Sequence, residues 1–111
     1  MTAQKKKSVR GSRSGRPIMV LLDALGQRWA LRVLWELRAK RLSFRSLRTA
    51  CGEISPTVLN VRLRHLRDLG LVALHEEGYG LTREGEALGQ HFMALDAWAN
   101  DWAKARGSAG D

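Results

Sequence analysis

The stretch ISPTVLNVRLRHLRDLGLV, residues 54–72, constrains the fold more than any other part of the sequence. Ser55 is a favourable helix N-cap, and Pro56 suits the first helical position, where its missing N–H costs nothing. At about 100° per residue, three leucines fall on one side of the predicted helix and face a core: Leu59, Leu63 and Leu66. Gly70 ends the helix. Periodicity alone does not decide whether the charged outer face is merely solvated or contacts nucleic acid.

Three helices are predicted before this stretch. The first begins at Pro17 and ends before Gly26. The second covers RWALRVLWELRAK, residues 28–40, with these side chains facing inward: Ala30, Val33, Leu34 and Leu37. The third lies in LSFRSLRTACG, after a short extended segment and a serine cap, and is separated from the helix at Pro56 by a connection of only about three residues.

After Gly70 the pattern changes from helical to alternating. LVALH, EEG and YGLT predict a strand, a turn and a second strand. Thr82 then caps a long last helix, predicted over residues 83–105. Three helices, a short turn, a fourth helix and a β-hairpin, followed by a long helix, define a mainly α fold with a small hairpin. This is the winged helix-turn-helix arrangement with a long C-terminal dimerisation helix.

Positive charge is concentrated in two parts of a chain whose net charge is +8. Residues 1–16 hold six of the 19 basic residues and no acid, and residues 38–67 hold eight more against one acid. The rest of the chain is net acidic. This segregation is typical of a protein that binds a polyanion. Residues 1–15 are predicted to be a disordered basic arm, residues 16–106 the winged domain, and residues 107–111 a flexible tail.

Other classes of protein are not supported by the sequence. The single cysteine suits a reducing cytoplasm, and no apolar run approaches the ~18 residues that span a bilayer. The three histidines lie on separate predicted elements, and there is no Gly-rich phosphate loop or nucleophile motif. We therefore expect no catalysis, cofactor, metal or membrane association, and a cytoplasmic, nucleoid-associated location.

Three segments resemble the HxlR-type winged-helix transcription regulators of bacteria, relatives of the MarR group: LDALGQRWALRVLWELR, FRSLRTACGEISPTVLNVRLRHLRDLGLV and YGLTREGEAL. The resemblance runs from residue 17 to about residue 102 and implies a dimeric DNA-binding repressor or activator, whose first and last helices form the dimer. Oxidant-sensing members usually have a cysteine where this chain has Arg16. Cys51 is expected to be a buried packing residue.

The outer face of the helix at Pro56 supplies the candidate DNA contacts, because the N-terminal half of a recognition helix enters the major groove. Arginine can bind guanine, asparagine can bind adenine, and a valine can touch a thymine methyl group. The predicted base contacts are Thr57, Asn60, Val61 and Arg64, followed by Val58 and His65. The predicted backbone contacts are Ser55, Arg45, Arg48, Arg62 and Arg67, together with Lys5, Lys6, Lys7, Arg10, Arg13 and Arg16 of the arm.

The predicted hairpin is the wing of this fold. Its turn, HEEGYG, is short and acidic, whereas the family's wing is usually longer and basic or proline-rich at the tip. Glu76 and Glu77 at its tip would be repelled by phosphates, so we expect the basic arm to supply backbone or minor-groove contacts in its place. A sequence-indifferent, chromatin-like coat protein would also suit a lysine-rich arm. That alternative stays open at the level of sequence.

An apolar stripe on the last helix is longer than a small core can cover, and it predicts a dimer face. The expected interface residues are Leu88, Phe92, Leu95, Trp98 and Trp102, with Ile18, Leu22 and Trp29 as their partners. A symmetric dimer implies a pseudo-palindromic operator in double-stranded DNA. A third possibility is a regulator whose dimer cavity, near Trp29, Trp35 and Trp98, binds a small aromatic effector.

Overall fold

The structure is a computed structural model that describes residues 15–110, without the side chains of residues 108–110. The predicted arm up to residue 14 and the last residue of the predicted tail lie outside this range. The predicted order of elements is confirmed. The helices are α1 Pro17–Leu25, α2 Ala30–Leu37, α3 Phe44–Ala50, α4 Pro56–Asp68 and α5 Arg83–Gly110, and the strands are β1 Val72–His75 and β2 Gly78–Leu81.

One apolar core joins the first four helices to the hairpin. The inward positions predicted for α2 and α4 are all buried, and Leu59 has no exposed surface. Complete burial of a leucine contributes about 1.5–3 kcal/mol to folding, so these positions fix which face of α4 is turned outward. The core residues are Leu25, Val33, Leu34, Leu37, Leu47, Cys51, Ile54, Leu59, Leu63, Leu66, Leu71 and Val72.

The turn between α3 and α4 is held by backbone geometry and by one arginine. Gly52 and Glu53 both have left-handed backbone conformations, with φ of 76° and 62°, and they reverse the chain within a few residues. The Arg48 Nε donates to the Ile54 carbonyl oxygen at 2.7 Å, while the Ile54 side chain is buried in the core. Ser55 then caps α4, its Oγ accepting from the Val58 N–H at 3.3 Å, as predicted.

The hairpin packs against the segment that precedes α3. Val72 pairs with Leu81 and His75 with Gly78 across the two antiparallel strands. Leu42 forms an isolated bridge to Tyr79, with backbone hydrogen bonds of 2.9 and 2.8 Å. Gly78 is required here, because its φ is 131° and a Cβ would come within 2.6 Å of the Leu42 carbonyl.

Two helix boundaries differ from the prediction. Helix α2 begins at Ala30 instead of residue 28, because Trp29 has a left-handed φ of 77° that a right-handed helix cannot contain. It ends at Leu37, since residues 38–40 are exposed and have nothing to bury. Helix α5 continues to Gly110, beyond the predicted end at 105. Alanines are frequent in this part, and a single glycine weakens a helix by about 1 kcal/mol without ending it.

Candidate nucleic-acid interface

The outer face of α4 is presented to solvent by the core beneath it. Seven of the candidates on or next to this helix are exposed: Ser55, Thr57, Asn60, Val61, Arg64, His65 and Arg67. Val61 is 43% exposed, although it is a valine in the middle of a helix. Val58, predicted among the base contacts, is instead half-buried and packs against the core. Less of its side chain is therefore available to a base than in the exposed candidates, and its base contact stays a prediction.

A basic concavity lies between the end of α4 and the wing. Arg64 and Arg67 line it from the helix, and Leu74 lines it from β1, around a volume of about 430 Å³. Asp68 is the only acid among its lining residues. Arg45, on the first turn of α3, is also exposed. These guanidinium groups are exposed and available to phosphates.

Two other predicted backbone contacts have partners inside the protein. The Arg62 Nε donates to the Arg28 carbonyl oxygen at 2.6 Å, which ties α4 to the loop before α2. Arg48 bonds to the Ile54 carbonyl oxygen and also lies 3.5 Å from the Glu53 carboxylate. Both side chains are half-buried. The two arginines therefore help to position α4. Any contact with phosphate would have to use the guanidinium N–H groups that these bonds leave free.

The acidic wing tip is compensated by a residue that sequence patterns did not single out. Arg41 forms a salt bridge with Glu77, 36 residues along the chain. A backbone N–H bond and the Arg41 guanidinium hold the pKa of the Glu77 carboxyl below its usual range. Repulsion between the tip and a phosphate backbone is therefore weaker than the two glutamates suggest. No local pattern could have revealed this pair, because it forms only when the hairpin reaches the loop before α3.

The predicted dimer stripe on α5 divides into two parts. Leu88 and Phe92 are half-buried and pack against the chain's own core, as does Trp29. These three side chains are therefore partly covered by the chain's own core, and their place in a dimer interface stays a prediction. The exposed members of the predicted interface are Ile18, Leu22, Leu95, Trp98 and Trp102.

The exposed tryptophans of α5 form an ordered aromatic surface. The Trp98 and Trp102 rings stack with their centroids 5.9 Å apart and their planes inclined by 14°. The Arg106 guanidinium lies 5.2 Å from the Trp102 ring centre. Met19, which was not among the predicted residues, is exposed on α1 beside Ile18 and adds to the uncovered apolar area.

The predicted dimer cavity near Trp29, Trp35 and Trp98 would be completed by a second copy of the chain and stays a prediction. Trp35 lines a groove with α5 and β2, whereas Trp29 lines a different and shallower concavity, and Trp98 lines neither. Cys51 is buried, as predicted, with 1% of its surface exposed. Burial raises the pKa of its thiol, although Arg32 opposes the effect. The thiolate that oxidants attack is therefore disfavoured.

Within residues 15–110, no helix combines the length and apolarity needed to cross a membrane. The same residues contain no group of three or more histidine, cysteine or acidic side chains arranged to hold a metal ion.

The fold and the exposed basic face of α4 define the class: this is a winged helix-turn-helix transcription regulator that binds DNA. The model of the HxlR-like helix-turn-helix family matches residues 24–107, and the chain belongs to that family. The resemblance noted in its sequence is thereby confirmed. A comparison with curated proteins finds no significant match.

Solved structures of regulators share the fold. The chain is similar to the quinone-bound YodB from B. subtilis, with 27% identity, a TM-score of 0.71 and coverage of 76% of this chain and 96% of that one. A putative MarR-family regulator from Enterococcus faecalis V583 is 25% identical, with a TM-score of 0.75 over 90% and 97% of the two chains. A possible HxlR-family factor from Thermoplasma volcanium GSS1 is 26% identical, with a TM-score of 0.68 over 80% and 86%.

Proposed function

We propose that the protein is a homodimeric transcription regulator that recognises a specific sequence in double-stranded DNA by placing α4 in the major groove. The observation that carries the proposal is the composition of the exposed face of α4. Its outward positions present a hydroxyl (Thr57), an amide (Asn60), a branched apolar group (Val61) and a guanidinium (Arg64). On a helix face that contacts only water, polar side chains would be expected at all four positions, and the exposed Val61 would be unfavourable.

Each of these groups suits a base edge. Arg64 can donate two hydrogen bonds to guanine O6 and N7, and Asn60 can pair with adenine N6 and N7. Val61 can contact a thymine methyl group. Thr57 and His65 flank them as further donors or acceptors. Contacts of this kind discriminate between bases by about 1–3 kcal/mol each.

Phosphate contacts would fix the position of α4 without selecting sequence. The exposed Arg45 of α3 and Arg67 of the α4–wing concavity are the candidates for these contacts. Ser55, at the N-terminus of α4, lies where a helix dipole favours an anion. The arm, with Lys5, Lys6, Lys7, Arg10 and Arg13, would add contacts along the backbone or in the minor groove, and Arg16 joins it to α1.

Dimerisation through the exposed apolar side chains of α1 and α5 would set the spacing of the two recognition helices. A two-fold dimer with its α4 helices about 34 Å apart would bind successive major grooves and a pseudo-palindromic operator. Such a regulator would act in the cytoplasm on nucleoid DNA. YodB was solved with a quinone bound, which supports the idea that a small molecule also regulates this chain.

Selection of bound fragments from random double-stranded DNA by the purified protein tests the proposal. We expect a two-fold symmetric motif to be enriched, and Asn60→Ala or Arg64→Ala to lose preference at defined positions of that motif. Arg67→Ala is the matched control, because losing a phosphate contact should weaken binding to all sequences alike.

The rival is a sequence-indifferent, chromatin-like coat, which the basic arm also favours. In that case no motif would be enriched, and bulk duplex would compete as well as any selected fragment. Equal losses on all sequences for Asn60→Ala, Arg64→Ala and Arg67→Ala would likewise contradict base recognition by α4.

A further inference from the structure

A groove opens between the end of α2, strand β2 and the first half of α5. Its volume is about 420 Å³, within the ~300–1,000 Å³ that small-molecule sites usually have. Its apolar lining comes from Leu34, Trp35, Leu81, Phe92 and Met93, and its side-chain polar groups come from Arg38, Glu86 and Gln90. An apolar trough with a few polar groups is the usual composition of a small-molecule site.

The groove lies on the opposite side of α5 from the exposed tryptophans. At about 100° per residue, Gly89 points about 180° away from Trp98 around the helix. A second copy packed on Trp98 and Trp102 would therefore approach α5 from the side opposite the groove. The groove is also separate from the outer face of α4, because none of its lining residues belongs to that helix.

Gly89 leaves the groove open where the local packing does not require a glycine. A Cβ at Gly85, one turn earlier, would lie 2.2 Å from the Leu71 carbonyl oxygen, so glycine is needed there. A Cβ at Gly89 would have nothing within 4 Å. Glycine is a poor helix former, and any larger side chain here would enter the groove. The empty space beside Gly89 is therefore large enough to hold part of a ligand.

Arg38 gives the groove a fixed positive group. Its guanidinium lies 3.7 Å from the Trp35 ring centre, and its Nη1 donates to the Trp35 carbonyl oxygen at 2.9 Å. Stacking and this bond hold the plane of the guanidinium, while the side chain remains exposed. Glu86, the acid of the lining, is exposed, and within the described residues no hydrogen bond or ion pair fixes its side chain. A pre-positioned guanidinium favours a planar anion such as a carboxylate.

We propose that this groove binds a small planar aromatic acid, with its ring among the apolar lining residues and its carboxylate on the Arg38 guanidinium. Glu86 disfavours a second negative charge on the ligand. Binding in the groove requires neither the operator nor α4. A failure of this proposal therefore leaves the proposed DNA recognition intact, and a failure of DNA recognition leaves the groove to be judged by its own titration.

Isothermal titration calorimetry of the full chain with 2-naphthoate tests the site, with 2-naphthamide and 2-naphthylmethylamine as neutral and cationic probes of the same shape. We expect one naphthoate per chain and an affinity order of acid, amide and then amine. Arg38→Gln should weaken naphthoate about tenfold while leaving the amide unchanged. Glu86→Gln should bind naphthoate at least as tightly as the unaltered chain does. Arg83→Gln, an exposed arginine of α5 outside the groove, is the matched charge control.

Gly89→Leu fills the groove from α5 and should abolish naphthoate binding while raising thermal stability, with Gly89→Ala as a smaller variant in case the leucine disturbs folding. The proposal is overturned by naphthoate binding to Gly89→Leu as it does to the unaltered chain, or by amide or amine binding as tightly as the acid. It is also overturned if the folded, unaltered chain gives no heat with naphthoate. It is likewise overturned if Gly89→Leu dissociates the dimer, because the groove would then be a subunit contact.

Discussion

Replacing Trp98 with alanine tests whether the exposed face of α5 joins two copies of the chain. Trp98 is 60% exposed. Taking about 250 Å² for a whole tryptophan, this leaves about 150 Å² of mostly apolar surface to be covered in a dimer. At about 25 cal/mol per Å² the upper limit is about 4 kcal/mol per copy. Association and side-chain ordering consume part of it, and about 2 kcal/mol is typical of an interface tryptophan.

A two-fold dimer contains the substitution twice, so Trp98→Ala should weaken dimerisation by about 4 kcal/mol, or about a thousandfold in Kd. The effect should be large because the indole is already ordered by stacking on Trp102 at 5.9 Å. Sedimentation equilibrium over a range of protein concentrations measures the Kd directly. Leu74→Ala is the matched control, since Leu74 is 52% exposed on the wing, away from α5.

An unchanged dimer Kd for Trp98→Ala would refute the assignment of this face to the dimer. The fold itself should survive the substitution, because Trp98 is outside the core. Far-ultraviolet circular dichroism of the variant at low concentration checks this. A loss of helix in the monomer would show that α5 depends on Trp98 for folding, which would also contradict the interpretation.

Three further predictions address the arm, the core and the wing. Deleting residues 1–15 removes five basic residues. In a plot of the logarithm of the DNA-binding constant against the logarithm of salt concentration, the steepness of the slope should fall by up to about 4.5, while the preferred DNA sequence is kept. An unchanged slope in this salt titration would contradict a role for the arm. Leu63→Ala should lower the free energy of unfolding by about 2–5 kcal/mol, because Leu63 is 1% exposed. Urea denaturation measures this loss, with Leu74→Ala at an exposed position as the control. Equal losses for the two variants would show that burial does not decide the effect. A backbone N–H bond and, next, the Arg41 guanidinium depress the pKa of the Glu77 carboxyl. The ionised carboxylate therefore stabilises the wing above the ordinary carboxyl pKa of about 4.3, and this stabilisation is lost as pH falls through the lower, folded value. An NMR titration of the carboxyl group should give a depressed pKa that rises only part of the way to the ordinary value in Arg41→Gln, and an ordinary pKa in the unaltered chain would be contrary to this.

The elements and the outward face of α4 follow from the sequence because they depend on local interactions. Serine and threonine caps, the proline at the start of α4 and the leucines on its inner side act over three or four residues. The same spacing that buries Leu59 turns Val61 outward without any information about the rest of the fold. The family resemblance also depended on these local segments.

The boundaries of α2, the partners of the arginines and the division of the α5 stripe were decided by tertiary structure. Trp29 takes a left-handed conformation, and its side chain packs against the core. Arg62 donates to the Arg28 carbonyl oxygen, 34 residues away in the sequence, and Arg41 donates to the Glu77 carboxylate, 36 residues away. These contacts depend on how helices and hairpin pack, which no sequence period encodes.

The groove beside Gly89 shows the same dependence on tertiary structure. In the sequence, Gly89 is one weak helix former within a long helix, and Trp35 and Arg38 belong to another helical pattern. Packing brings them to one trough because the Gly85 backbone comes close to the Leu71 carbonyl and draws the first half of α5 against the wing. The sequence alone determined which elements form and which face of α4 is free, since those are local properties. Which charges are paired, which tryptophans are exposed and where a cavity opens depend on distances between elements, and only the folded chain sets those distances.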